Sequence, residues 1–200
     1  MAIPIVTRGG LRSARLLAAG TATRIALTPV VMWLILGDRG GEDISADAVV
    51  ATVLFCVAAV TDWVDGRLAR RWGVTSKLGS FLDTTADKLL VSGVLIALVA
   101  VDRASPWIAA VIIGRELVLM GLRGVIASEG AVMAPSMLGK LKTSVQFIAI
   151  ALAILRLGDP VGGLYVDEWA MLAAAVITLW SGADYLVRAL PSLMREDTRT

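Results

Sequence analysis

Four aspartates, Asp62, Asp65, Asp83 and Asp87, hold the chemistry this chain can offer. Asp62 and Asp65 stand three residues apart and Asp83 and Asp87 four apart, so on helices each pair shares one face. A short loop between two antiparallel helices would bring the two faces together. Four carboxylates gathered at the end of apolar helices repel one another, and each is costly there without compensation. Protonation through raised pKa values is one remedy. Divalent cations are the other, and they account for both the number of carboxylates and the uniform choice of aspartate. Short, hard oxygen ligands suit Mg²⁺ or Mn²⁺. The chain has no histidine, which excludes Ser-His-Asp chemistry, histidine zinc sites and phosphohistidine intermediates. Acid–base and metal work falls to carboxylates, lysines or tyrosines.

Small residues lie on the same faces. Gly66 follows Asp62 by four, Ala69 follows Asp65 by four, and Gly79 precedes Asp83 by four. Such a face leaves room for a ligand against helix backbone. Arg67 and Arg70 add positive charge beside it, which suits a diphosphate. The plainer explanation is that helix-end charges snorkel to water and small residues serve helix packing. It covers one aspartate well. It covers poorly four aspartates, two glycines, an alanine and an arginine at helical spacings.

The elements that must position these residues read as membrane helices. The 200-residue chain is 57% hydrophobic, with mean hydropathy +0.78, against about 45–50% apolar residues in an ordinary soluble domain. Six apolar stretches, at roughly 21–36, 46–69, 78–101, 105–127, 137–157 and 168–190, each suit one bilayer crossing. Pro29 predicts a kink in the first. Gly37 to Gly41, the polar run around Gly73, Pro135, Asp159-Pro160 and Gly162-Gly163 supply the breaks. Residues 1–20 read as a basic segment, with 11–17 suited to lying at the interface, and 191–200 as a polar tail. The first apolar patch, 16–23, is short and runs at once into Arg24, unlike a cleaved signal. Six crossings put sixteen of the nineteen basic residues on one side, leaving only Arg39, Arg103 and Arg156 opposite. The positive-inside rule then places both termini and the aspartates on the cytoplasmic side. The expected fold is all-α: one membrane-embedded domain of six transmembrane helices. A net charge of +2 indicates no nucleic-acid partner. Cys56, alone in an apolar run, excludes a disulfide within the chain and reads as a small buried hydrophobe.

From Asp62 to Asp87 the sequence runs Asp, two residues, Asp-Gly, two residues, Ala-Arg, eight residues, Gly, three residues, Asp, three residues, Asp. This pattern resembles, at every position, the signature of the CDP-alcohol phosphatidyltransferase family. The resemblance implies a six-helix membrane fold, usually homodimeric, with a cytosol-facing site holding two divalent ions. It implies that Asp62, Asp65, Asp83 and Asp87 are metal ligands and that Asp87 is also the general base. It further implies that Asp62, Gly66, Ala69, Arg70 and Gly79 shape the site for CDP-diacylglycerol. On that reading Asp87 takes the proton of an acceptor hydroxyl as it attacks the phosphorus attached to diacylglycerol, and CMP departs.

A second basic group, Arg115, Arg123, Lys140 and Lys142, is expected on the same side as the aspartates. Arg115 and Arg123 are eight apart and share a helix face, and Arg115 beside Glu116 within an apolar stretch exceeds what topology alone asks for. The group suggests an anionic acceptor, while positive-inside bias and attraction to anionic lipid are the simpler account of any one member. Phe55 to Trp72, Gly114 to Arg123 and Gly139 to Thr143 resemble the phosphatidylglycerophosphate synthase branch of the family. That branch implies sn-glycerol 3-phosphate as acceptor, with the four basic residues holding its phosphate. The chain departs from the branch at Ala18-Ala19-Gly20, where Asn and Pro are common, and at Thr84, where Pro is common. Trp180, Asp184 and Tyr185 could border the site, with interfacial anchoring the favoured reading of the two aromatics.

Three rival readings stay open at this point. The same chemistry with phosphatidylglycerol or inositol phosphate as acceptor would make a cardiolipin synthase or a phosphatidylinositol-phosphate synthase. Membrane prenyltransferases also bind Mg²⁺ and diphosphate through helical aspartates, in longer chains without the Asp-Gly…Ala-Arg pattern. A cation transporter would place its carboxylates near the midplane of interrupted helices, often within repeats.

Overall fold

The computed structural model describes residues 8–38, 44–72, 77–128, 137–157 and 160–193. Six helices fill them: α1 (Arg8–Gly37), α2 (Ala46–Trp72), α3 (Lys77–Ala100), α4 (Pro106–Ser128), α5 (Met137–Leu155) and α6 (Val166–Leu193). Among the described residues there is no strand, only an isolated bridge between Val161 and Leu164. The helices fall where the apolar runs and the breaks between them place them, with one difference. α1 begins at Arg8 rather than near Thr21, because residues 11–19 are rich in Arg, Leu and Ala and no proline interrupts the chain between Arg8 and Thr21. The basic N-terminal stretch is therefore continuous with the first apolar helix from Arg8 onward. Pro29 lies inside α1, where it cannot donate to the carbonyl of Ile25.

Local chemistry sets the ends. The Ser45 hydroxyl caps α2 by accepting from the Ala48 N–H at 3.0 Å. Pro106 opens α4, where a missing N–H costs nothing. Glu168 reaches back to accept from the Tyr165 N–H at 2.8 Å, one half of a capping box for α6. α3 closes with Asp102 in the left-handed region (φ 56°), the Asp102 N–H on the Val99 carbonyl and the Arg103 N–H on the Leu98 carbonyl. Gly162 and Gly163, both at positive φ (65° and 86°), make the two-residue turn that closes Val161 onto Leu164.

The chain divides into two compact units, Met1–Ala97 and Leu98–Thr200. In the first, α1 packs on α2; in the second, α4 and α5 pack on α6. The buried stripe of α1 is Thr21, Arg24, Thr28, Val31 and Ile35, and that of α2 is Ala48, Ala51, Phe55 and Ala58. Both advance by alternate steps of three and four, the spacing that keeps one face turned to a neighbour. The α2 stripe continues in register to Asp62 and Asp65.

Side chains are distributed inside out. Buried positions are rich in alanine (Ala48, Ala51, Ala86, Ala97, Ala149, Ala153, Ala174, Ala189), while Trp33, Trp107 and Val187 are 73%, 81% and 71% exposed. Small residues inside and large apolar residues outside suit helices packed in lipid. Ala19–Gly37 and Val166–Ala189 are long and apolar enough to cross a membrane by length and composition, and Leu141–Leu155 is a shorter apolar helix. Cys56 is exposed on α2, contrary to the expectation of burial. Its neighbour Phe55 takes the buried stripe, and one step along a helix turns the next side chain outward.

Candidate active site

The aspartates of the first unit meet on a cation from α1. The Arg24 guanidinium is 1% exposed. Its Nη1 lies 2.9 Å from Asp62 Oδ1 and 2.6 Å from Asp83 Oδ1, and its Nη2 lies 3.1 Å from Asp65 Oδ2. Thr21, one turn earlier on α1, donates its hydroxyl to Asp83 Oδ1 at 3.3 Å. Three helices therefore supply one polar focus: α1 the arginine and threonine, α2 the first aspartate pair, α3 the third aspartate. Asp62, Asp65 and Asp83 keep 34%, 21% and 37% of their side chains exposed, so the focus stays open on one side. Gly20 lies against this group, and a Cβ there would overlap the Asp65 carboxylate. Asp87 takes a separate partner, accepting from Lys88 Nζ at 2.8 Å.

The donor set suits a hard divalent cation. Three carboxylates and one guanidinium sum to −2 within this group when all are ionised, which leaves charge for an ion to neutralise. Among the described residues, no three carboxylates stand close enough to enclose an ion as they are placed. They are spaced by the guanidinium, at N–O distances longer than the roughly 2.0–2.1 Å of an Mg–O bond.

The second unit carries a cluster of the opposite sign. Lys142 of α5 and Arg115 of α4 both bond Glu116 Oε1, the arginine from Nη1 at 2.9 Å. Lys142, Glu116 and Arg115 are 4%, 7% and 12% exposed. Arg115 Nη2 donates to the Ser181 hydroxyl of α6 at 2.9 Å. The Arg115 stem lies flat on Gly182, where a Cβ would stand 3.2 Å from its Cγ. Arg123 sits over the Tyr185 ring at 5.2 Å, and Asp184 pairs with Arg188 on the next turn.

Residues 18–180 match a family model described as CDP-alcohol phosphatidyltransferase. The chain belongs to the CDP-alcohol phosphatidyltransferase family. It is 41% identical over 173 residues to the CDP-diacylglycerol–glycerol-3-phosphate 3-phosphatidyltransferase of Bacillus subtilis (strain 168), covering 82% of this chain and 90% of that one. It is 42% identical over 149 residues to the protein of the same name from Escherichia coli (strain K12), covering 72% and 80%. It is 38% identical over 183 residues to a Mycobacterium tuberculosis (strain ATCC 25618 / H37Rv) protein named probable phosphatidylglycerophosphate synthase, covering 91% and 85%.

As a CDP-alcohol phosphatidyltransferase, the chain is an enzyme of phosphatidyl transfer, and the run from Asp62 to Asp87 covers the end of α2 and the start of α3. The structure gathers Asp62, Asp65 and Asp83 and sets Asp87 one turn along α3. Gly79 is exposed near the start of α3. The side chains of Gly66, Ala69, Arg70 and Lys140 lie outside the described residues. Of the basic residues expected to meet an acceptor phosphate, Arg115 and Lys142 share Glu116, and Arg123 stacks on Tyr185. Tyr185 is buried in a core with Leu119, Ile126 and Ala189, contrary to its reading as an interfacial anchor, because its position on α6 faces α4. Trp180, at 69% exposure, keeps the outward position an anchor needs.

Sequence reasoning counted Arg24 only as one more charge on the basic side. Its role was nevertheless signalled, because it is the sole charged residue between 16 and 37 and falls on one stripe with Thr21 and Thr28. A lone ionisable residue within an apolar helix calls for a buried partner.

Proposed function

We propose that this phosphatidyltransferase joins CDP-diacylglycerol to sn-glycerol 3-phosphate, giving phosphatidylglycerophosphate and CMP in phospholipid biosynthesis. The observation that carries the chemistry is the convergence of Asp62, Asp65 and Asp83 on one focus, with Asp87 adjacent in sequence register. The choice of acceptor is supported by the names of relatives that cover most of the chain.

Asp62, Asp65, Asp83 and Asp87 would hold two Mg²⁺ or Mn²⁺ ions. When bound, these ions supply charge neutralisation on the diphosphate and on the departing CMP. The protein's own part is positioning and proton transfer. Gly66, Ala69 and Gly79 leave helix backbone open to the CDP moiety, and Arg70 offers it positive charge. Asp87 accepts the acceptor hydroxyl proton as that oxygen attacks phosphorus. Its carboxylate is paired with Lys88 and is not one of the three on Arg24, so its oxygens can turn to the acceptor without disturbing that focus. Arg115, Arg123, Lys140 and Lys142 serve the acceptor phosphate. Glu116 orients Arg115 and Lys142 and leaves the three together at +1, enough to favour a phosphate over a neutral alcohol.

The fuller reading is a six-span protein of the cell membrane, a homodimer with both termini and the site on the cytoplasmic face. The exposed apolar surface and the placement of basic residues support it.

Purified protein supplied with CDP-diacylglycerol and, in turn, glycerol 3-phosphate, phosphatidylglycerol and inositol phosphate tests the acceptor. Preferential incorporation of glycerol 3-phosphate with CMP release is expected. Equal use of the other alcohols would overturn the acceptor, and pyrophosphate release would overturn the reaction.

A further inference from the structure

We propose that Arg24 is a positioning residue that holds the aspartates in place in the metal-free protein and competes with divalent metal for their oxygens. The inference rests on the reading of Asp62, Asp65 and Asp83 as metal ligands, and it concerns a residue outside that ligand set. Nη1 is shared between Asp62 Oδ1 and Asp83 Oδ1 at 2.9 and 2.6 Å. Two carboxylate oxygens aimed at one nitrogen cannot also close on an ion at the same point, since an ion needs them about 2.0–2.1 Å away. Metal loading therefore requires Nη1 to withdraw.

The attachment of Arg24 permits such a withdrawal. Its Nε is buried without a hydrogen-bond partner, so the guanidinium is anchored by its two outer nitrogens. Those nitrogens bond aspartates on two different helices. Nη2 meets Asp65 through a separate contact at 3.1 Å. Arg24 can thus release Asp62 and Asp83 and still keep a carboxylate, which a cation buried in an apolar helix requires. A permanent structural ion cluster would bind the same atoms but would give metal affinity a different dependence on Arg24. If the arginine only props the ligands in place, its removal weakens metal binding. If it competes, its removal strengthens metal binding while costing stability only when metal is absent.

The experiment is Mn²⁺ titration of chelator-treated protein in detergent, with free Mn²⁺ followed by electron paramagnetic resonance, for wild type, Arg24→Gln and Arg24→Lys. Thermal unfolding of each is measured in chelator and in saturating Mg²⁺. Arg24→Gln is expected to bind Mn²⁺ about tenfold more tightly, the scale of one charge-assisted hydrogen bond removed from competition. It should melt lower than wild type in chelator, with Mg²⁺ closing most of the gap. Arg24→Lys, which keeps the charge but loses the fork, should fall between the two. Unchanged or weaker Mn²⁺ binding in Arg24→Gln, or an equal melting deficit with and without Mg²⁺, overturns the proposal. Should Arg24→Gln not be recoverable, Arg24→Lys decides in the same way: tighter binding supports competition and unchanged or weaker binding overturns it. Absence of Mn²⁺ binding in wild type would instead overturn the metal reading itself.

Discussion

The two units each bury a charge cluster built on inverted plans. In the first, one arginine is surrounded by three aspartates; in the second, one glutamate is shared by an arginine and a lysine. Each cluster is organised by the single residue of minority sign, and each is left with a surplus, −2 in the first group and +1 in the second. Under the proposed function, the first surplus would suit cations and the second an anionic acceptor. On that proposal the minority residue would set geometry and the majority residues would meet ligands. The difference lies in exposure. The aspartates are each more than a fifth exposed, while Lys142 and Glu116 are almost fully buried, so the first cluster is partly open to its surroundings and the second is enclosed by protein.

Changes to the majority residues of the first cluster should have the largest effect. Asp62→Asn and Asp83→Asn are expected to lower kcat by about 10³-fold or more, because charge stabilisation in such sites is worth that much, with melting temperature in chelator little changed or raised. An activity loss under tenfold would break the assignment of these two as ligands. In the second cluster the minority residue should matter most to stability. Glu116→Ala removes the carboxylate that buried Lys142 and Arg115 share, at a cost of about 3–5 kcal/mol, measurable by denaturant unfolding in mixed micelles. A loss below about 1 kcal/mol would show that these cations find other partners. Gly20→Ala should disturb the first cluster alone. Its methyl displaces the Asp65 carboxylate, so Mn²⁺ affinity is expected to fall while stability shifts by about 1–3 kcal/mol, the usual cost of overpacking. The smallest effect belongs to Asp184→Asn, which removes a partly exposed pair with Arg188 and should change stability by less than about 1 kcal/mol. A large effect there would extend the second cluster along α6.

The helices were readable from their apolar length and the aspartate pairs from their spacing. Apolar runs of bilayer length locate α2 to α6 within a few residues, and spacings of three and four place Asp62 with Asp65 and Asp83 with Asp87. Non-local partners carry no such period. Nothing in the sequence ties Arg24 to Asp83 across 59 residues, or Lys142 to Glu116 across 26. Each was visible only as half of a pair, a charge in an apolar helix that had to find its complement. Arg115 and Lys142 were expected to wait for a phosphate, yet both already lean on Glu116, because burial makes an unpaired cation too costly. The start of α1 was missed for a simpler reason. Hydropathy reports where a helix becomes apolar, and helix propensity carries the backbone further back to Arg8.

One end of the second unit is fastened by arginine. Arg103, just after α3, donates to the Ile154 carbonyl at the end of α5 at 2.8 Å. Arg156, just after α5, donates to the Asp102 carbonyl at 3.0 Å and lies 4.2 Å over the Tyr165 ring that precedes α6. The loop after α3 and the loop after α5 are thereby stitched to each other in both directions. Further along, α4, α5 and α6 are tied again by side chains, Arg115 and Lys142 on Glu116 and Arg115 on Ser181. Any widening between these three helices would then be smallest from this rivet to that cluster and largest beyond it. Amide hydrogen exchange is expected to record that pattern, slowest near Ile154 and rising only past Lys142, at the Met137 end of α5.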